Sequence, residues 1–240
     1  MSEGSFYPGK ELGLFSEARN WKKYFGFWLA PYIKGSVLEV GAGIGSTTHL
    51  LCTGKETEWL CLEPDHDLAA ALRRKIKSSQ LPAICRIKTG TIADLTSRRR
   101  FQTILYIDVL EHVSDDREEM RRAERLLCPG GFLIVLAPAH HWLMSQFDKA
   151  IGHQRRYTFR SLQAVVPASL SPIKILYLDS AGLVASLGNK LLINKVPPTL
   201  GPILFWDRVL VPISRVLDKL LRRRLGKSVL GIWKKESRPS

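Results

Sequence analysis

Acid, cysteine and long apolar runs are all scarce in this 240-residue chain. Its 22 Asp and Glu face 36 Lys and Arg, a net charge of +14, which favours an anionic partner, whether substrate, nucleic acid or lipid surface. The four cysteines, Cys52, Cys61, Cys85 and Cys128, are widely spaced and form no CxxC pair. That excludes a readable metal motif or disulfide framework and leads us to expect a reducing, cytoplasmic setting. No stretch reaches the ~18 uncharged apolar residues of a bilayer span, and Met1-Ser2-Glu3-Gly4-Ser5 lacks the basic start and apolar run of a secretory signal. With 45% hydrophobic residues, the chain can bury a full core, and its length suits one domain with insertions. The basic excess is uneven: residues 207–240 hold ten Lys or Arg against three acids, half of the total.

What is present is organised around Val37-Leu38-Glu39-Val40-Gly41-Ala42-Gly43-Ile44-Gly45. A β-branched run reads as a buried strand, three glycines turn the chain sharply, and Thr47 to Leu51 reads as a helix. Glycines are needed where a ligand must approach backbone closely, and the helix start offers free N–H groups, so a nucleotide-like ligand suits the turn. Alone, the GxGxG spacing is a weak signal, since a purely structural turn would also satisfy it. The acid Glu39 before the glycines, and Glu63 ending the next strand-like run Trp59 to Leu62, strengthen the ligand reading.

Helical spacing of Leu12, Phe15, Ala18, Trp21, Phe25, Trp28 and Leu29 predicts one helix over residues 12–32. Asp65 should cap a helix to about Lys77. Strands are predicted at Ile84 to Lys88, Thr103 to Ile107 and Phe132 to Leu136, with a helix started by Ser114 and its following acids and stopped at Pro129-Gly130-Gly131. Arg98 to Arg100 read as a solvated turn. The segment 139–157 reads as a long polar, aromatic and basic loop, of the kind that holds substrate at an active edge. Thr158 caps a short helix, Ile173 to Leu178 and Ser228 to Trp233 are the last strands, and Asp179 to Lys227 is a helical insertion between them. Within it, residues 181–193 read as a helix broken by Pro197 and Pro198. Residues 204–225 read as a second helix, kinked at Pro212, with Trp206, Val209, Leu210, Ile213, Val216, Leu217, Leu220 and Leu221 on one face and Arg208, Arg215, Lys219 and Arg222 on another. Such a helix either caps the substrate pocket through its apolar face, the reading we favour, or lies on an anionic membrane surface.

The series LEVGAGIG, CLEPD, YIDVLEHV and LLCPGGFLIVLAP, in that order, resembles the motifs of class I S-adenosylmethionine-dependent methyltransferases, most closely the small-molecule branch with the quinone-biosynthesis O-methyltransferases. The likeness covers roughly residues 35 to 178, with a weaker echo at the C-terminus. It implies an α/β fold: a doubly wound, seven-stranded, mostly parallel sheet whose last strand lies antiparallel beside its predecessor at the far end. The single domain then comprises an N-terminal helical segment (1–34), a cofactor-binding core (35–178), the insertion (179–227) and the last strand with its tail (228–240).

By the same resemblance, Glu39, Gly41, Gly43 and Gly45 hold the methionine part of S-adenosylmethionine, Glu63 the ribose hydroxyls and Asp108 the amino-acid end. Where the family commonly carries an acid for adenine, this chain has Thr91, which leaves a backbone contact from Ile92. Tyr7, Trp21 and Tyr24 are candidates for a lid over the cofactor, although aromatics at such spacing are more often packed in the core. Independently of family, a carboxylate such as Glu63 suits a diol because it accepts two hydrogen bonds.

A hydroxyl acceptor needs a base, and His112, His140 and His141 are the candidates, although a lone histidine is more often a structural hydrogen-bonding residue. An anionic acceptor would suit Arg155 and Arg156, with Tyr157 beside them, and their other reading is an ordinary ion pair. The expected partner is therefore a small, anionic or amphipathic acceptor methylated on oxygen. RNA or other nucleic-acid methylation fits the charge, but Asp108-Val109-Leu110-Glu111 replaces the proline-proline-aromatic motif of amino-methylating enzymes. No Pro-Cys context suits attack on cytosine either. A membrane-associated lipid methyltransferase using the basic helix, a non-enzymatic nucleotide-binding protein and an NAD-dependent oxidoreductase are the other rivals, the last disfavoured by Ser46 at the third fingerprint position.

Overall fold

A computed structural model describes residues 10–96, 98–192 and 199–237. Seven strands among the described residues form one sheet: β1 Ser36–Val40, β2 Glu58–Glu63, β3 Cys85–Thr89, β4 Phe101–Ile107, β5 Leu127–Pro138, β6 Leu170–Leu178 and β7 Ser228–Lys235. Their spatial order is β3-β2-β1-β4-β5-β7-β6, parallel from β3 to β5, with β7 antiparallel to both neighbours. The expected antiparallel last strand is present, but it is inserted between β5 and β6, so β6 forms the edge of the sheet.

Ten helices in the described residues flank the sheet: α1 Lys10–Ser16, α2 Arg19–Leu29, α3 Ser46–Leu51, α4 His66–Lys77, α5 Asp116–Leu126, α6 Gln146–Ala150, α7 Phe159–Val165, α8 Ser180–Leu192, α9 Leu200–Phe205 and α10 Val211–Leu220. Strand residues alternate between two cores, as the pleat requires. Leu38, Leu60, Ile104, Leu133 and Trp233 pack with Met120 of α5 and Leu162 of α7. Val37, Trp59, Leu105, Ile134 and Ile232 pack with Phe25 and Leu29 of α2 and Leu72 of α4. Because parallel strands are covered on both faces, they read as nearly unbroken apolar runs, which is why they could be found in the sequence.

Two helical predictions are corrected. The expected N-terminal helix is split at Glu17–Ala18 into α1 and α2. The expected helix over 204–225 is composite: α9, a wider π-type turn over Trp206–Leu210, and α10, ending at Leu220. Pro212 sits in the first turn of α10, and having no N–H it cannot close a normal bond to the preceding turn, where the backbone widens. Pro197 and Pro198 lie outside the described residues. The insertion leaves and re-enters the sheet at one point, since the Lys227 N–H donates to the Asp179 carbonyl at 3.0 Å.

In the 206–220 segment the apolar row is not the one that packs. Its buried side is the row Asp207, Val211, Ser214 and Asp218, while Val209, Ile213, Val216, Leu217, Leu220 and Leu221 are exposed. Asp207 accepts from the Asn20 and Trp21 amides at 3.1 and 2.8 Å and so caps α2 from a distance. Asp218 accepts from the Asp179 and Ser180 amides at 2.8 and 2.9 Å, and Ser214 accepts from the Ala181 amide at 3.0 Å, which together cap α8.

Candidate active site

The glycine turn leaves β1 with Gly41, Gly43 and Gly45 all at positive φ, +66°, +56° and +77°. At Gly41 a Cβ would lie 2.6 Å from Val109 Cγ2, so the turn can press against the segment after β4 only without a side chain. At Gly43 the nearest neighbour of such a Cβ is Leu12 of α1 at 3.4 Å, which places the N-terminal helix over the turn. The Gly43 N–H donates to Glu63 Oε2 at 2.7 Å, and Glu63 Oε1 accepts from the Asp65 amide at 3.0 Å. Burial pushes the Glu63 carboxyl upward, against the pull of these amides. Behind the turn, fully buried Glu39 accepts from Thr48 Oγ1 at 2.7 Å and Trp59 Nε1 at 2.8 Å, and burial raises it to about 7.

Gly41, Glu63, Thr91 and Asp108 thus stand at the carboxyl ends of four adjacent strands, where a doubly wound sheet collects its ligands. Thr91 is already engaged: its amide and hydroxyl both donate to Asp94 Oδ2, at 2.8 and 3.0 Å, while the Ile92 side chain is buried. Asp108 takes φ +53°, a left-handed conformation uncommon outside glycine, so the turn after β4 is set deliberately. Although the residue is exposed at this edge, the protein packed about its carboxyl raises it, opposed by the charges of His153, Lys227, Lys22 and Arg156.

The loop after β5 is built around a carboxylate that the sequence did not single out. Buried Asp148 accepts from Arg156 Nη2 at 2.7 and 2.9 Å, from Ser145 Oγ at 2.6 Å, and pairs with His153 Nδ1 at 2.9 Å. These partners hold it well below the usual carboxylate range despite burial. His153 Nε2 lies 3.7 Å from Glu111 Oε1, and its ring meets that of His112 edge-on at 4.6 Å. Glu111 is fully buried with both oxygens outside any hydrogen bond, and burial together with the Asp108 charge raises it strongly. Glu111, His112 and His153 present potential cation ligands within 4.8 Å of one another. The Ser145-x-x-Asp148 capping box was the available local signal for Asp148; nothing local signals that His153 returns to Glu111.

The remaining predicted site residues divide. His112 is exposed and His141 lines an open cleft of about 470 Å³ with Trp142, Met144, Lys149, His153 and Gln154. His140, at φ +64°, is buried and stacked between Trp142 and Tyr177, with Nε2 unpartnered. Arg155 pairs with Asp116 at 2.7 Å and Arg156 with Asp148, so both guanidinium groups are committed inside the chain. Tyr157 is buried, its hydroxyl donating to Asp116 Oδ2 at 2.8 Å. Trp21 and Tyr24 lie in the core under the insertion, Trp21 against Trp206 and the Tyr24 hydroxyl donating to Asp218 at 2.8 Å. Tyr7 lies outside the described residues.

Residues 38–133 match the family model described as a methyltransferase domain. That stretch, from β1 into β5, resembles a methyltransferase domain. The chain is 28% identical over 109 residues to a ubiquinone biosynthesis O-methyltransferase of Rhodopseudomonas palustris, a match spanning 44% of this chain and 41% of that protein. Among solved structures it resembles geranyl diphosphate methyltransferase in complex with SAM, with a TM-score of 0.63 at 12% identity over 98% of this chain and 93% of that one. It also resembles an S-adenosylmethionine-dependent methyltransferase from Clostridium acetobutylicum, with a TM-score of 0.61 at 11% identity, covering 95% and 98%. These structural likenesses establish the fold. The cradle suits a nucleoside: Gly43 leaves the space of a Cβ open at the turn, and Glu63 keeps a carboxylate at its rim.

Proposed function

We propose that this chain transfers a methyl group from S-adenosylmethionine to an oxygen of a small anionic or amphipathic acceptor. The observation carrying this reading is the bond from the Gly43 amide to Glu63, which holds a ribose-type carboxylate against a side-chain-free turn. Gly41, Gly43 and Gly45 would accommodate the methionine part, Glu63 the ribose hydroxyls and Asp108 the amino-acid end, with Leu12 of α1 closing over the turn. S-adenosylmethionine supplies a methyl already activated by its sulfonium, so the chain's task is positioning.

The acceptor's place is the cleft of His141, Trp142, Met144 and Lys149. Trp142 and Met144 suit an apolar body, and Lys149, not the internally paired Arg155 and Arg156, is the cation offered to an anion. A hydroxyl acceptor would give its proton to His141, the candidate base that lines the same cleft.

Calorimetric titration with S-adenosylhomocysteine tests the cofactor assignment. Micromolar binding is expected, weakened at least about tenfold in Gly43→Val, where the side chain fills the cradle, and in Glu63→Ala, which loses two charge-assisted bonds. Absence of binding by the folded native chain would overturn the reading.

A further inference from the structure

We propose that the outward face of α10 and the turn before it is a docking surface for an anionic phospholipid bilayer. This goes beyond the methyltransferase reading and does not depend on it. The segment's rotation about its axis is set by Asp207, Ser214 and Asp218, whose side chains cap α2 and α8 from the buried side. With those anchors made, the apolar row cannot turn inward. Val216 and Leu220 are 63% and 73% exposed, and Val209, Ile213, Leu217 and Leu221 share their stripe. The neighbouring α8 adds Val184, 71% exposed, and Leu187. An apolar stripe this continuous on a surface marks a place that something covers.

Charge selects the occupant. Arg208, Arg215, Lys219 and Arg222, all exposed, run along one flank of the stripe, and Arg224 follows beyond the helix. A second copy docked through this face would bring two basic rows together, whereas an anionic headgroup layer neutralises them while the apolar row enters the acyl boundary. No helix among the described residues is long and apolar enough to cross a membrane, so the contact is one of lying on the surface. The insertion springs from the carboxyl end of β6, on the same edge of the sheet as Asp108, and the charge of Lys227 at its return acts on Asp108. Docking there would set the active edge close to the lipid.

The test is flotation of the full chain with vesicles of phosphatidylcholine alone and of phosphatidylcholine mixed with phosphatidylglycerol. Binding is expected only to the anionic vesicles, weaker as salt is raised. It should fall at least about tenfold in the double variant Val216→Ser with Leu220→Ser and in Lys219→Glu with Arg222→Glu. Because all four positions are exposed, melting temperature and S-adenosylhomocysteine affinity should be unchanged in both variants. That separates failure here from failure of the cofactor reading. No flotation of the native chain, equal flotation of the variants, or a dimer in sedimentation that Val216→Ser with Leu220→Ser dissolves would each overturn the proposal, the last by showing that a second copy covers the face.

Discussion

Asp148, 2% exposed, is the residue on which the loop after β5 depends. Replacing it with Asn leaves the Arg156 guanidinium buried without its counter-charge, so Asp148→Asn should cost roughly 3–5 kcal/mol in urea unfolding at pH 7. Its folded carboxyl is depressed, so its contribution is full above the ordinary value near ~3.9 and shrinks as pH falls from there through the folded value. The deficit of the variant should narrow over that range. Glu111 has the opposite sign. Its folded carboxyl is raised, so the native state holds a proton that the unfolded chain releases, and stability falls as pH rises above ~4.3 toward the folded value. Glu111→Gln should flatten that decline, read as the pH dependence of the unfolding midpoint. Of these residues, the sequence showed only that a loop rich in His, Asp and Arg follows β5. It could not show that Arg155 and Arg156 find Asp116 and Asp148, because the partner of a charge is chosen by the fold.

Among elements, α10 shows how an amphipathic pattern can be read correctly and placed wrongly. The apolar and basic stripes exist as the spacing predicts, but the third, narrow row of Asp207, Ser214 and Asp218 is the one that packs. These three serve the exposed amides of other helices, a need invisible within α10 itself. Asp218→Ala would leave the Asp179 and Ser180 amides and the Tyr24 hydroxyl without an acceptor, a loss of about 3 kcal/mol, with faster hydrogen exchange in the first turn of α8. Leu220→Ser, on the exposed row, should change stability by less than about 0.5 kcal/mol. By contrast the glycine turn, the Asp65 cap of α4 and the Thr158 cap of α7 were legible because each is made within a few residues.

At the scale of the whole molecule, β7 closes the sheet between β5 and β6 and buries Trp233 completely. A chain ending at residue 227 would leave both neighbours with open edges and no shared core, so it should show no cooperative thermal transition by circular dichroism. The strands β1 to β5 and the turns that end at Gly41, Glu63 and Asp108 are legible as local runs, because buried parallel strands are apolar throughout and the turn needs glycine, while the doubly wound arrangement was implied by family resemblance. What only the tertiary structure decided is which charges pair, which stripe of α10 faces inward, where β7 inserts, and that His153 comes back to Glu111 and His112. Periodicity specifies that a helix has distinct faces, whereas the direction each face takes is set by the groups that happen to oppose it, and those arrive from far along the chain.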